Sequence, residues 1–317
     1  MNATFRWLLI LTLSAVAVSL ASAQITEVTH NTWTSGAAIP TPVWGAAAGV
    51  LKANIYVVGG STTAAGDSTS AVQVYDPATN SWSTGVSLPT PLMGVAGAVV
   101  KNVLYIFGGS SNINCSPADS SVWAYSVKTK TWSSKAAMPA ALCSADAVVV
   151  DNIIYLVGGY DGSNAVTTVQ SYNPATNTWT VEESLLSPKN AAAAGAIGKT
   201  TIVASGGYIN SEGSATGDTE AYDIATNTWS ELAADSTPRN AQCFGAVGAN
   251  LYIASGGPPT DLNESFKLSK DKWATLTPIP QITAYPTSIA YKGKLYCISG
   301  ETVWLGTMLN NVQIYQP

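Results

Sequence analysis

Histidine is nearly absent from this sequence of 317 residues, where His30 is the only one. A multi-histidine metal centre is thereby excluded, and so is any Ser-His-Asp or Cys-His pairing unless His30 serves it. His30 itself falls in an expected turn, away from the segments where a site would form. Catalytic residues, metals and cofactors are therefore not assigned. Charge is scarce too: 10% of residues are Asp, Glu, Lys or Arg, the net charge is −5, and no Lys/Arg run occurs. Without clustered basic residues there is no groove for a phosphate backbone and no patch for an anionic bilayer, so nucleic acid and anionic membrane surfaces are not expected partners. Long apolar runs are limited to one, residues 7–20, shorter than the roughly 20 residues that span a bilayer. Arg6 precedes it and Ala21-Ser22-Ala23 follows, the order of a secretory signal peptide. Residues 1–23 are accordingly expected to be removed, leaving 24–317 as an exported protein, secreted or periplasmic, with no membrane insertion after cleavage.

What is abundant is apolar and repetitive. Hydrophobic residues make up 46% of the chain, far too many for a disordered polypeptide. Trp33, Trp82, Trp132, Trp179, Trp229 and Trp273 are each followed 27 residues later by a glycine: Gly60, Gly109, Gly159, Gly206, Gly256 and Gly300. Tyr75, Tyr125, Tyr172, Tyr222 and Phe266 each precede the next tryptophan by seven residues. All length variation lies between glycine and aromatic. A rigid spacing alternating with a free one describes a repeated scaffold that carries loops.

Within the rigid part, runs such as "NIYVVGG", "VLYIFGG" and "IIYLVGG" read as buried strands closed by glycine. The small-residue stretches before them, such as "WGAAAGVL" and "MGVAGAVV", read as strands crowded where side chains have no room. "VQVYDPATNSW" gives a third strand, a turn of Pro and Asn and a fourth strand carrying Trp. Each repeat is thus a meander of four strands.

With its Gly-Gly doublet after an apolar strand, then a Tyr, then a Trp seven residues on, the chain resembles the kelch-repeat family over residues 24–317. The doublet is shifted by one in Gly206-Gly207 and Gly256-Gly257 and lost at Gly300-Glu301, and Phe266 replaces Tyr. The resemblance implies an all-β, six-bladed β-propeller. Tyr315 lies two residues from the end, so the sixth repeat lacks its own tryptophan. Trp33 supplies it if the segment Ile25 to Thr34 forms the outer strand of the last blade and closes the ring.

In such a meander the loops between second and third strands share a face with the blade-to-blade connections. That variable face is where function is expected. Eleven residues after each tryptophan come Trp44, Met93, Cys143, Asn190, Asn240 and Ala284. One residue earlier come Val43, Leu92, Leu142, Lys189, Arg239 and Thr283, which predicts a mouth that is half apolar, in blades one to three, and half polar-basic, in blades four and five. Tyr160, Asp161, Tyr208, Glu212, Pro258 and Pro259 join from the variable loops, and Trp304, Leu305 and Met308 form an apolar loop that either packs over the mouth or offers a contact patch. The binding residues expected are Trp44, Met93, Tyr160, Asn190, Tyr208, Arg239, Asn240, Trp304 and Leu305. They would take a protein, or a carbohydrate stacked on the aromatics, and the protein is expected to act as a monomer. The rival reading, a sugar epimerase or mutarotase, has only Asp146, Arg239 and Glu301 to draw on. Four cysteines in an exported chain suggest disulfides: Cys115 and Cys143 share the variable face and are expected to pair, while Cys243 and Cys297 read as buried thiols.

Overall fold

A computed structural model describes residues 30–210 and 213–317; the expected signal peptide over residues 1–23 lies outside them, as does Glu212. Six four-stranded antiparallel sheets form a ring of blades. Blade one runs from the axis outward as Ala47–Leu51, Asn54–Val58, Val72–Asp76 and Ser81–Thr84, and the other blades repeat that order. The innermost strands are small because neighbouring blades converge there. A Cβ added at Gly97 would stand 2.8 Å from the Ala47 Cβ of the preceding blade, well inside contact distance. Second and third strands supply the apolar layers between blades, where for example Tyr105 and Phe107 of blade two pack against Tyr172 of blade three.

The seven-residue spacing is a cross-strand pair. Tyr75 faces Trp82, and the pairs Tyr125–Trp132, Tyr172–Trp179, Tyr222–Trp229 and Phe266–Trp273 follow. The segment Thr32–Gly36 pairs with Val312–Gln316 and sets Trp33 against Tyr315, so the amino-terminal strand completes blade six and closes the ring. Among the described residues the strand spans Thr32–Gly36, ending two residues beyond the expected Thr34, and residues 25–29 lie outside the described residues.

Each tryptophan also reaches the preceding blade. Trp82 Nε1 donates to the Ala37 carbonyl at 2.8 Å, while the Ala37 N–H donates to Asn80 Oδ1 at 2.6 Å. One peptide residue is thus held at both its polar groups. The same grip joins Asn177 and Trp179 to Ala136, Asn227 and Trp229 to Glu183, and Asp271 and Trp273 to Ala233. Asn31 and Trp33 hold Thr277 at 2.8 and 2.9 Å. Asn31 takes a left-handed conformation, φ 56°, as do Asn80, Asn177, Asn227 and Asp271, and Asn and Asp tolerate that region better than other non-glycine residues. Blade two has Lys130 at this position, so Trp132 holds Val86 by the indole alone.

Two sequence expectations are corrected. In blade four the structural partner of Gly60 is Gly207, not Gly206: Gly60 N–H donates to the Leu92 carbonyl of the next blade, and Gly207 N–H makes the matching bond to Arg239. The hairpin between Ala193–Ile197 and Thr201–Ser205 is one residue longer than that of blade one, which the 27-residue spacing does not reveal. Cys243 and Cys297 are not free thiols but a disulfide, Cα–Cα 5.6 Å, joining the innermost strand of blade five to the second strand of blade six. The ring brings those two strands together although 54 residues separate the cysteines. The expected pair Cys115–Cys143 is also bonded, Cα–Cα 5.9 Å. Loop-closure entropy makes such cross-links worth about 3–4 kcal/mol each.

Asn31→Ala removes the acceptor for both the Thr277 N–H and the Tyr315 hydroxyl, and should destabilise the protein by about 1–3 kcal/mol, comparable to Asn177→Ala. Thermal unfolding checks this. A melting temperature untouched by Asn31→Ala but lowered by Asn177→Ala would contradict closure through the amino-terminal strand.

Candidate functional site

The variable face is assembled from six copies of one bridge. Trp44 pairs with Ser61, Met93 with Ser110, Cys143 with Tyr160, Asn190 with Tyr208, Asn240 with Gly257 and Ala284 with Glu301. The next residue in each connection is Gly45, Gly94, Ser144, Ala191, Ala241 or Tyr285, and all six have φ between 50° and 62°. This conformation turns each N–H toward the carbonyl of the equivalent residue in the preceding blade. Gly94 donates to Gly45, Ser144 to Gly94, and so on round to Gly45 donating to Tyr285, with distances of 2.7 to 3.1 Å. The axis is encircled by a closed ring of backbone hydrogen bonds.

On one side of that ring lies an axial channel of about 270 Å³, lined by the small inner-strand residues together with Asp146, Gln242 and Ser288. Asp146 Oδ2 has no hydrogen-bond partner, and burial pushes its carboxyl well above the usual carboxylate range. On the other side is the mouth, a cavity of about 570 Å³ bordered by Trp44, Met93, Ile113, Asn114, Ser116, Tyr160, Asn190, Tyr208, Asn210, Tyr285 and Trp304. Cys115 belongs to this border, and its disulfide to Cys143 pins the blade-two loop against the rim. A second cavity of about 400 Å³ adjoins it, sharing Tyr208, Tyr285 and Trp304 and bounded beyond by Asn240, Pro258 and Pro259.

Trp44, Tyr285 and Trp304 pack as a three-ring cluster, with centroids 5.2 to 5.4 Å apart. Trp44 is buried beneath it, and its indole donates to the Thr63 carbonyl at 3.0 Å. Trp304 remains 45% exposed and Leu305 53%, so the loop both covers Trp44 and presents an apolar surface. Val303, in the same loop, is also exposed. Tyr285 donates its hydroxyl to Tyr208 at 3.0 Å, and burial holds the Tyr285 phenol well above its ordinary value. Glu301 lies under the Trp304 loop, fully buried. Its Oε1 accepts the Leu305 N–H at 3.2 Å and its Oε2 is unpartnered. Burial pushes its carboxyl from 4.5 up to about 7.

The expected basic side of the mouth does not exist. Lys189 and Arg239 are buried between blades. Lys189 pairs with Glu220 at 3.2 Å, and Arg239 meets both Asp235 and Glu264 at 2.6 Å. At the Glu220 and Glu264 positions other blades carry Gln73, Gln170 and Gln313, whose amides bridge to the backbone of Thr41, Ala140 and Gln281. The ion pairs replace those amide bridges. Arg239 borders none of the three cavities. Among the described residues, the loops between second and third strands carry Asp67, Asp119, Asp161, Asp218, Asp261 and Glu301 but no Lys or Arg. Lys52, Lys101, Lys199 and Lys292 sit in the hairpins of the opposite face.

Of the other expected residues, Met93 borders the mouth with almost no exposed surface, and Asn240 belongs to the adjoining cavity. Asp161 is spent on its own turn, accepting from Ser163 and Asn164. Tyr285, which sequence reasoning passed over, is central; its signal was the column of small residues that it alone interrupts.

A family model, the KLHDC2/KLHL20/DRC7 Kelch-repeats domain, matches residues 45–257, more than half of the chain. This chain belongs to the Kelch-repeat family. Among solved structures, one titled "Structure of YjhT" superposes with a TM-score of 0.75 at 18% identity, over 88% of this chain and 96% of that one, a likeness of fold. Comparison with curated proteins returns no match. In this Kelch propeller two disulfides suggest an oxidising compartment, and no helix among the described residues is long and apolar enough to cross a membrane.

Because Glu301 holds its proton more tightly folded than unfolded, its contribution to stability is full below pH 4.5 and is lost as the pH rises through about 7. Glu301→Gln mimics the protonated side chain. It should raise the melting temperature at about pH 8 and leave it little changed at acid pH. A variant that melts no higher than wild type at the alkaline pH would contradict this.

Proposed function

We propose that this Kelch propeller is an exported binding module, acting as a monomer, that takes a protein or carbohydrate ligand at its mouth. The observation that carries the reading is Trp304, half exposed on the border of a cavity of about 570 Å³, with exposed Leu305 next to it and exposed Val303 on the border of the adjoining cavity. Exposed apolar clusters beside a formed cavity tend to mark contact sites. The Cys115–Cys143 disulfide, the backbone ring and the packed Trp44 support a mouth that is rigid before binding, which lowers the ordering cost of association. An oxidising compartment fits export, with the leader expected over residues 1–23.

A second reading, a sugar-modifying enzyme, keeps only Glu301 of its three candidates, a buried residue of the Trp304 loop that borders none of the three cavities. Arg239 is committed to an inter-blade ion pair and Asp146 lies in the channel beyond the ring. Glu301 has the buried carboxyl, raised to about 7, that an acid–base group needs near neutral pH.

Trp304→Ala should weaken ligand binding by about 2 kcal/mol, the cost of losing a contact anchor. Because Trp304 is half exposed, the variant should melt within a few degrees of wild type. A titration and a thermal scan check both. Binding retained alongside a large loss of stability would make the loop a structural cover and defeat the proposal. Sugar turnover abolished by Glu301→Gln would favour the enzyme.

A further inference from the structure

Among the described residues, neither mouth cavity is bordered by a charged side chain. An anionic ligand would find no partner: the variable loops carry only carboxylates, and Lys189 and Arg239 are consumed between blades. An ammonium group would need aromatic faces standing apart around it. Here Trp44, Tyr285 and Trp304 are in mutual contact at 5.2 to 5.4 Å, which makes a wall and not a cage.

Besides the rings, the apolar Met93 and Ile113 and the disulfide-bonded Cys115, the larger cavity is bordered by amides and hydroxyls: Asn114, Asn190, Ser116 and Ser144. Each both donates and accepts, as sugar hydroxyls do, and a half-exposed indole offers a flat face for the C–H side of a pyranose. The cavity does not end at that wall. Trp304, Tyr208 and Tyr285 border both volumes, about 570 and 400 Å³, so the rings form a ridge between two adjoining pockets. Each is within the range of small-ligand sites, and side by side they suit a chain of rings better than a single one.

We infer that the mouth binds an uncharged oligosaccharide, with the Trp304–Tyr208–Tyr285 ridge separating two sugar-ring subsites. This rests on the mouth being the binding face, as proposed above, and narrows its occupant to a neutral glycan.

The test uses the mature protein and glycans of one to four residues: uncharged glucose and N-acetylglucosamine series against uronic-acid and sialylated chains of matching length, with a pull-down of protein partners beside them. At least one uncharged series should bind, about tenfold tighter for the tetramer than for the monomer. The affinity should be unmoved by salt, since no charge pair contributes. Trp304→Ala and Asn114→Ala should each weaken it about tenfold or more. Asn114 is an exposed loop residue, so its variant keeps the test valid if Trp304→Ala folds poorly. Binding only of acidic chains, or only of monosaccharides, overturns the inference while leaving the mouth as the site. So does a protein partner lost with Trp304→Ala when no glycan binds. A ligand indifferent to both mouth variants but lost with Lys101→Glu, on the opposite face, overturns both readings.

Discussion

The structure depends on one repeated grip. An Asn or Asp carboxyamide or carboxylate and a Trp indole, two residues apart, hold the N–H and the C=O of a single residue in the preceding blade. A buried or half-buried backbone group left unpaired is costly, so the grip satisfies two such groups while fixing the angle between blades. Blade two keeps the indole half of it, and Asn31 with Trp33 carries it across the junction of the chain ends. Ring closure is therefore not a separate device from blade packing. The same contact does both, with Cys243–Cys297 adding a covalent tie between blades five and six.

Toward the axis the chain makes a second kind of ring, entirely of backbone. Residues of positive φ relay hydrogen bonds from blade to blade, and five of the six are Gly, Ser or Ala. Tyr285 is the exception and turns a structural position into part of the mouth, where it contacts Trp44, Trp304 and Tyr208. The scaffold thus positions the aromatic wall by the same bonds that hold the blades together. Among the described residues the loops between second and third strands carry carboxylates and no Lys or Arg, Lys52, Lys101, Lys199 and Lys292 sit in the opposite hairpins, and the cations Lys189 and Arg239 are neutralised between blades. Removing one partner of such a buried pair is expected to cost several kcal/mol, which makes Arg239 a residue of the frame and not of the face.

Much of the fold was legible because its determinants are one-dimensional. The Tyr–Trp spacing of seven is a cross-strand pair, and a cross-strand pair joined by a short turn has a fixed separation in sequence. "NTW" at residues 31–33 announced closure for the same reason. What was misread turned on direction or on distance between blades. Lys189 and Arg239 lie one residue before the mouth positions Asn190 and Asn240, and that step rotates a side chain from the rim into the seam between blades. Gly206 was counted in place of Gly207 because an extra hairpin residue shifts the register without changing the motif. Cys243 and Cys297 meet only because adjacent blades do, which no local pattern expresses. The aromatic wall was half legible: Trp44, Tyr208 and Trp304 stood out by type and place, whereas Tyr285 required knowing that its column faces the axis.

The six gripping indoles, Trp33, Trp82, Trp132, Trp179, Trp229 and Trp273, all donate to a neighbouring blade, whereas Trp304 stands half exposed at the rim. Hydrogen exchange of the nitrogen-15-labelled indole N–H groups reads each of them in one spectrum. If the grip holds the ring as a single cooperative unit, the six exchange together and only by global opening, Trp33 as slowly as Trp179, while Trp304 exchanges at once. Trp33 exchanging as fast as Trp304 would contradict the account, because the ring would then be open where the chain ends meet.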